Sequence, residues 1–315
     1  MARAVVALAV VALCRAATHV AVDFSSDSAD VLKHACGPPT RFSPGLRKRL
    51  WFFAFVSDDD PFLLAHFLDF YAARGLDLRT PGRARLVVHA ASGEGSAAAV
   101  AATARVGSGN VRYAGSYTSH LKRDSVNAFL RTLPDDALLM YPDLDEFFDA
   151  PPESVEASVR DFAGFSRGVM VERIAADWTL APVLEAAPPW VTFPRRCAAT
   201  TPLFKGNSEK YVVVPATVDG VRVRFDGSHS AVPAAPAATP YLAFSHYRFD
   251  ARAHATLVRK RAAYASRSGG EASGHEAAHA AFYDSVLAFI DAAAEPAAFT
   301  DAFRETITCG ATCDP

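Results

Sequence analysis

An unbroken apolar run, LWFFAFV at positions 50–56, constrains the fold of this chain more than any other feature. With no polar side chains alternating through it, such a run fits a strand buried on both faces. Ser57, Asp58, Asp59, Asp60 and Pro61 follow as a turn with helix-starting chemistry, since proline is tolerated in the first helical turn. Phe62, Leu63, His66, Phe67 and Phe70 then recur at helical spacing, and Gly75 can end that helix. The unit repeats. Residues 84–89 (ARLVVH) read as a second strand, 96–106 as an alanine-rich helix, and 110–113 as a third strand. A helix over 119–133 and a fourth strand over 137–141 complete the series. Strands alternating with helices predict an α/β domain with a mostly parallel sheet and helices on both faces. Residues 168–174, 211–214 and 241–249 look like further strands, 230–239 like a surface connector, and two or three helices fill 251–305.

The fourth strand delivers acids onto its C-terminal end, where ligands bind in sheets of this kind. Asp143, Asp145 and Glu146 follow the apolar run 137–141, and Phe147 and Phe148 close the segment. On an extended segment, carboxylates at i and i+2 point the same way, so Asp143 and Asp145 are expected to grip one hard cation. Oxygen ligands suit Mg2+ or Mn2+, which often complete their shell with substrate phosphates. Two other chemistries fit less well. Aspartyl-phosphate phosphatases need Thr or Val where Phe147 stands, and family 18 glycosidases need a residue between the second Asp and the Glu. Acids at a strand end can also be merely solvated, or cap the next helix.

Lys and Arg number 32 against 34 Asp and Glu, a net charge of −2, so nothing argues for a nucleic-acid partner or an anionic membrane surface. Arg3 followed by the apolar stretch 4–14 (AVVALAVVALC) and the small residues Ala16 and Ala17 reads as a signal peptide over 1–17. The stretch is short of the ~20 residues a bilayer span needs, which makes a membrane anchor the lesser alternative. Residues 18–49 then form a lead-in and 50–315 a single domain. A secretory-pathway location, in the Golgi lumen or outside the cell, follows from that leader. The four cysteines beyond it, Cys36, Cys197, Cys309 and Cys313, suggest two disulfides of open pairing. Zinc is disfavoured, because Cys309 and Cys313 have no second closely spaced pair.

Several residues elsewhere are candidates for the same site. His246, flanked by Phe244, Tyr247 and Phe249, is a candidate ligand to Mn2+, and His229 a weaker one. Lys260, in the basic run 259–261, is a candidate for a diphosphate. Lys122, Arg123 and Asn127 precede the acidic strand on a helix and are candidate nucleotide contacts, as are Lys205 and Lys210 around Gly206 and Asn207.

These motifs resemble those of glycosyltransferases of the family 2 and family 92 type. PDLDEFF at 142–148 is close to a D-x-D-E-F signature, and HFLDFYAARGL at 66–76 is similar to the family's early helix, written H-F-x-x-x-Y-x-x-x-G. SHYRFDARAHATLVRKRAAY at 245–264 resembles its C-terminal block, and EKYVVVP at 209–215 the strand before its second histidine, here His229. The likeness covers roughly residues 50–264 and is weak in the middle third. Two features depart from it. Ser57 to Asp60 stand where the family has an Asn-Glu turn, and Ala251 and Arg252 stand where its final block has a serine.

The resemblance implies a GT-A-type, Rossmann-like fold and transfer of a sugar from a nucleotide-diphosphate donor, a UDP-sugar by preference, to a glycan or glycoconjugate hydroxyl. It implies Mn2+ or Mg2+ at Asp145 with Asp143 and His246 assisting, and a role for Lys260 on the diphosphate. Asp143, Lys122, Asn127, Lys210 and Lys260 form the expected donor-binding set. An inverting reaction needs a carboxylate base for the acceptor; Glu172 and Asp177 follow the next strand, and Asp177 is preferred for its neighbour Trp178, an indole platform for a sugar. The alternatives are a secreted carbohydrate- or cation-binding module without catalysis, and a glycoside hydrolase. The latter needs two carboxylates about 5–10 Å apart across a glycosidic bond.

Overall fold

A computed structural model describes residues 38–57, 61–89, 96–114, 119–198, 209–226, 230–267 and 274–309. The expected leader, the turn at Asp58 to Asp60, the basic turn with Lys205, and His229, Cys36 and Cys313 lie outside the described residues. In chain order the first elements are α1 (Pro44–Arg49), β1 (Leu50–Ser57), α2 (Pro61–Ala73), β2 (Ala84–His89), α3 (Ala97–Val106), β3 (Val111–Ala114), α4 (Ser119–Leu130) and β4 (Leu138–Met140). Then come β5 (Glu146–Phe147), α5 (Pro152–Asp161), β6 (Ser166–Ile174), α6 (Pro189–Thr192), β7 (Arg195–Ala198) and β8 (Glu209–Pro215). Short strands β9 (Thr217–Val218), β10 (Val221–Arg222), β11 (Arg224–Phe225) and β12 (Ala231–Val232) lead to β13 (Tyr241–His246). The chain closes with α7 (Ala253–Arg267), α8 (Gly274–Leu287), β14 (Ile290–Asp291), β15 (Ala298–Phe299), α9 (Asp301–Thr306) and β16 (Thr308–Cys309).

The central sheet runs β16-β7-β6-β8-β4-β1-β2-β3, with β13 and β5 attached to it through β6. As the alternation predicts, β4, β1, β2 and β3 are mutually parallel. β8 then enters antiparallel between β4 and β6, while β13 lies parallel to β6 and antiparallel to β5. The apolar run sends alternate side chains to opposite faces, as period two requires. Phe52, Ala54 and Val56 meet Leu64, Phe67 and Tyr71 of α2 on one side, and Phe53 and Phe55 meet Val126 and Phe129 of α4 on the other.

Phe42 and Leu46 join the first of these cores, so the packed domain takes in the end of the expected lead-in segment. Ser43 starts α1 by accepting from the Leu46 N–H, and Ser96 starts α3 by accepting from the Ala99 N–H. A third cluster joins Phe249, Leu257, Val286, Phe299 and Phe303 to Ile174 and Cys197, which places the C-terminal helices on the far part of the sheet. Cys197 and Cys309 face each other across β7 and β16 and form a disulfide. Among the described residues, no helix is long and apolar enough to cross a membrane.

Candidate functional site

β4 ends at Met140, and three residues later Asp143 forms a bridge to Phe55 of β1. The acids therefore stand at the C-terminal ends of two parallel strands. They do not stand on an extended segment. The Glu146 N–H donates to the Asp143 carbonyl at 3.0 Å, and Glu146 Oε2 accepts from the Asp143 N–H at 2.7 Å. This closes a tight turn from 143 to 146, so strand periodicity does not orient the two aspartates. β13 locks the turn from the far side: His246 pairs with Glu146, and the Tyr247 N–H donates to the Asp145 carbonyl at 2.7 Å.

The turn sends its two aspartates to different partners. Asp143 is gripped by Lys122 Nζ at 2.6 Å and Lys210 Nζ at 3.0 Å. Burial pushes its carboxyl upward, but the two lysines outweigh that and hold it well below the usual carboxylate range. Lys210 also pairs with Glu146; both groups are buried, and a lysine between two acids keeps its proton more firmly than usual. Asp145 faces His246, with Oδ2 3.3 Å from Nε2. Asp143 and Asp145 keep 27% and 33% of their side-chain surface open, whereas Glu146 keeps 2%. Access to the site runs over the two aspartates.

Behind His246 stands Glu172. The parallel register of β13 on β6 sets the two opposite each other, and both oxygens of Glu172 lie 3.1 Å from His246 Nδ1. Arg248 holds the same carboxylate at 2.7 Å. Burial pushes Glu172 up, but Arg248 and His246 more than offset it and the group stays ionised. Burial likewise pulls His246 down, while Glu172 and Asp145 on its two sides carry it up to about 10. Desolvation lowers the ammonium of Lys260 on α7, opposed by Asp145 and in part by Asp143.

The structure thus gathers Asp143, Asp145, His246, Glu172, Lys122, Lys210 and Lys260 around one strand edge. Some of the expected roles change. Asn127 holds the backbone of Phe225, donating from Nδ2 to its carbonyl at 2.8 Å and accepting from its N–H at 2.7 Å. Its amide is spent on β11 and is not offered to a nucleotide. Lys210 is a buried partner of two acids rather than a donor-facing cation. Glu172, only 1% exposed, is sealed behind His246 and lacks the access an acceptor base needs. Asp177 is exposed on the loop after β6, where Oδ1 accepts from the N–H and hydroxyl of Thr179. Trp178 packs edge-on against Phe303 in the C-terminal cluster.

Arg248 and Tyr71 are the participants that sequence patterns did not bring out. Tyr71 Oη donates to the Glu146 carbonyl at 2.9 Å and accepts from the Phe148 N–H at 3.0 Å, which fastens α2 to the acidic turn. Its place in HFLDFYAARGL was the available signal.

Among the described residues, no three His, Cys, Asp or Glu side chains converge as a ready metal cage. The donor set at Asp145 and His246 nevertheless fits a small divalent ion, because Mg2+ and Mn2+ commonly take one or two protein ligands and leave the rest to water and phosphate. A hollow of about 350 Å3 lies elsewhere, between α2 and α3, and none of these groups lines it.

No family model matches the chain, and none of the curated proteins does. Among solved structures, residues 1–349 of S. aureus TarS align over 74% of this chain and 70% of that one, at 9% identity and a TM-score of 0.23. That likeness is too slight to carry a conclusion.

Proposed function

We propose that the protein is a metal-dependent glycosyltransferase that moves a sugar from a nucleotide-diphosphate donor, a UDP-sugar by preference, to a glycan or glycoconjugate hydroxyl. One observation carries the reading: Asp145 Oδ2 and His246 Nε2 face each other 3.3 Å apart at the C-terminal edge of the sheet, at a partly open position. Without an ion, a proton on Nε2 bridges the pair, since Glu172 and Asp145 carry His246 up to about 10; a divalent cation bound here would take that proton's place. Asp145 and His246 would hold Mn2+ or Mg2+, which when bound supplies positive charge to a departing diphosphate.

The chain's own residues divide the remaining work. Lys260 adds a cation within the field of Asp145, available to a diphosphate in this proposal. Lys122 and Lys210 neutralise Asp143, so one aspartate of the pair is kept as a structural anion and the other is left for the ion. Asp177 keeps the solvent access that Glu172 lacks, and it takes the base role for the acceptor hydroxyl in this proposal. The expected leader and the motif resemblance are what favour a secretory-pathway enzyme acting on glycans.

The test is donor hydrolysis and transfer across a panel of nucleotide sugars, with Mn2+ present and absent. Release of nucleoside diphosphate should require the ion and should disappear in Asp145→Asn at unchanged melting temperature. Full turnover in that variant would remove the metal role. A second reading draws on the internal pairing of Asp143: a non-catalytic carbohydrate- or cation-binding module would tolerate an acid so fully engaged. It predicts binding of Mn2+ or sugar with no nucleotide released from any donor.

A further inference from the structure

Glu172 does not touch the open side of the site, yet His246 and Arg248 both fix it. Three strands converge to fix it. β13 sets His246 opposite Glu172 on β6 and opposite Glu146 on β5. Glu172 then lies symmetrically behind the imidazole, with both oxygens at 3.1 Å from Nδ1, and Arg248, two residues after His246, binds Oε1 at 2.7 Å.

We infer that Glu172 is a positioning residue that fixes the His246 ring with Nδ1 toward itself and Nε2 toward Asp145, and that Arg248 in turn orients Glu172. The inference rests on the metal reading above. The physical reason is the hydrogen-bond inventory. An ionised carboxylate only accepts, so the nitrogen facing it must carry the proton. The other nitrogen, paired with Asp145, is then the one at which a cation would displace a proton, and its direction is set by the ring that the carboxylate holds. Burial of Glu172 at 1% exposure keeps water from competing for that bond. The cation–π contact of Arg248 over Phe249, at 4.8 Å, pins the guanidinium at the other end of the relay.

Glu172→Gln tests the chain of contacts sharply. The charge-assisted bond from Arg248 should retain the single amide oxygen. The amide NH2 then faces Nδ1 and forces the opposite tautomer, which puts a proton on Nε2 and closes it to a metal. The experiment titrates Mn2+ alone into the full-length protein and follows the loss of the free-ion electron paramagnetic resonance signal. Electron spin-echo modulation reports coupling of the bound ion to imidazole nitrogen.

Wild type should show that nitrogen coupling. Glu172→Gln should lose it and bind Mn2+ roughly 10- to 100-fold more weakly, the range found when partners behind a ligating His are removed. Glu172→Asp, which keeps the charge, should recover the coupling in part, a rescue that a purely structural role would not produce. It also serves as the readout if the Gln variant fails to fold. Unchanged affinity and coupling in Glu172→Gln would overturn the positioning role while leaving Mn2+ at Asp145 intact. An absence of Mn2+ binding in wild type would instead overturn both this inference and the metal reading.

Discussion

At the scale of single residues, the ion pair between Lys210 and Glu146 is the most deeply buried of the acidic turn. Both side chains are almost wholly buried, and removing one partner of such a pair leaves an uncompensated charge in the interior. Lys210→Met should therefore destabilise the protein by about 3–5 kcal/mol. Urea denaturation of the single and double variants gives the coupling, and adding Glu146→Gln should restore part of the loss. Asn127→Ala should cost about 1–3 kcal/mol by orphaning the N–H and carbonyl of Phe225, yet leave the KM for donor unchanged. A raised KM at intact stability would return Asn127 to the nucleotide. Asp143, Asp145 and His246 were readable from local spelling, because strand ends and aromatic flanks mark such sites. The pairings of Lys210 with Glu146 and of Glu172 with His246 were not, since they span 64 and 74 residues and exist only through strand register.

Among the elements, β6 does the most to organise the second half of the sheet, taking β13 as one neighbour and β8 and then β7 as others. Gly168 makes that crowding possible. A Cβ there would fall 2.6 Å from Phe244 and 2.7 Å from Val212, inside any real carbon–carbon contact. Gly168→Ala is expected to cost about 1–3 kcal/mol through overpacking, read as a lowered midpoint of thermal or urea unfolding. Because β13 is one of the displaced neighbours, the variant should also weaken Mn2+ uptake beyond what its stability loss explains. The parallel strands β1 to β4 could be read from the sequence because strand-like segments alternate with helical patterns from residue 50 to residue 141. Of the antiparallel additions, β8 was legible as the strand at 211–214, but its direction and the shorter strands were not. β5, β7 and β16 are two to four residues long, below the length at which periodicity carries information, and their places depend on partners far along the chain.

For the molecule as a whole, the disulfide between Cys197 and Cys309 is the longest-range covalent constraint among the described residues. It closes a loop of 112 residues, worth about 4–5 kcal/mol in the chain-entropy account. Reductant should lower the denaturation midpoint of wild type and leave that of Cys197→Ala with Cys309→Ala where it already is. The bond fastens β16 to β7, next to the strand that carries Glu172. Order of synthesis gives the sheet a further consequence. The acids at 143–146 leave the ribosome early, but the strand that completes their surroundings is residues 241–246, nearly a hundred residues later. Until then β5 lacks its partner and β6 has an open flank, so a nascent or prematurely terminated chain is inert and sticky at once. Such a product invites chaperone capture, and the acidic turn acquires the strand that closes it in a single late event rather than by stages.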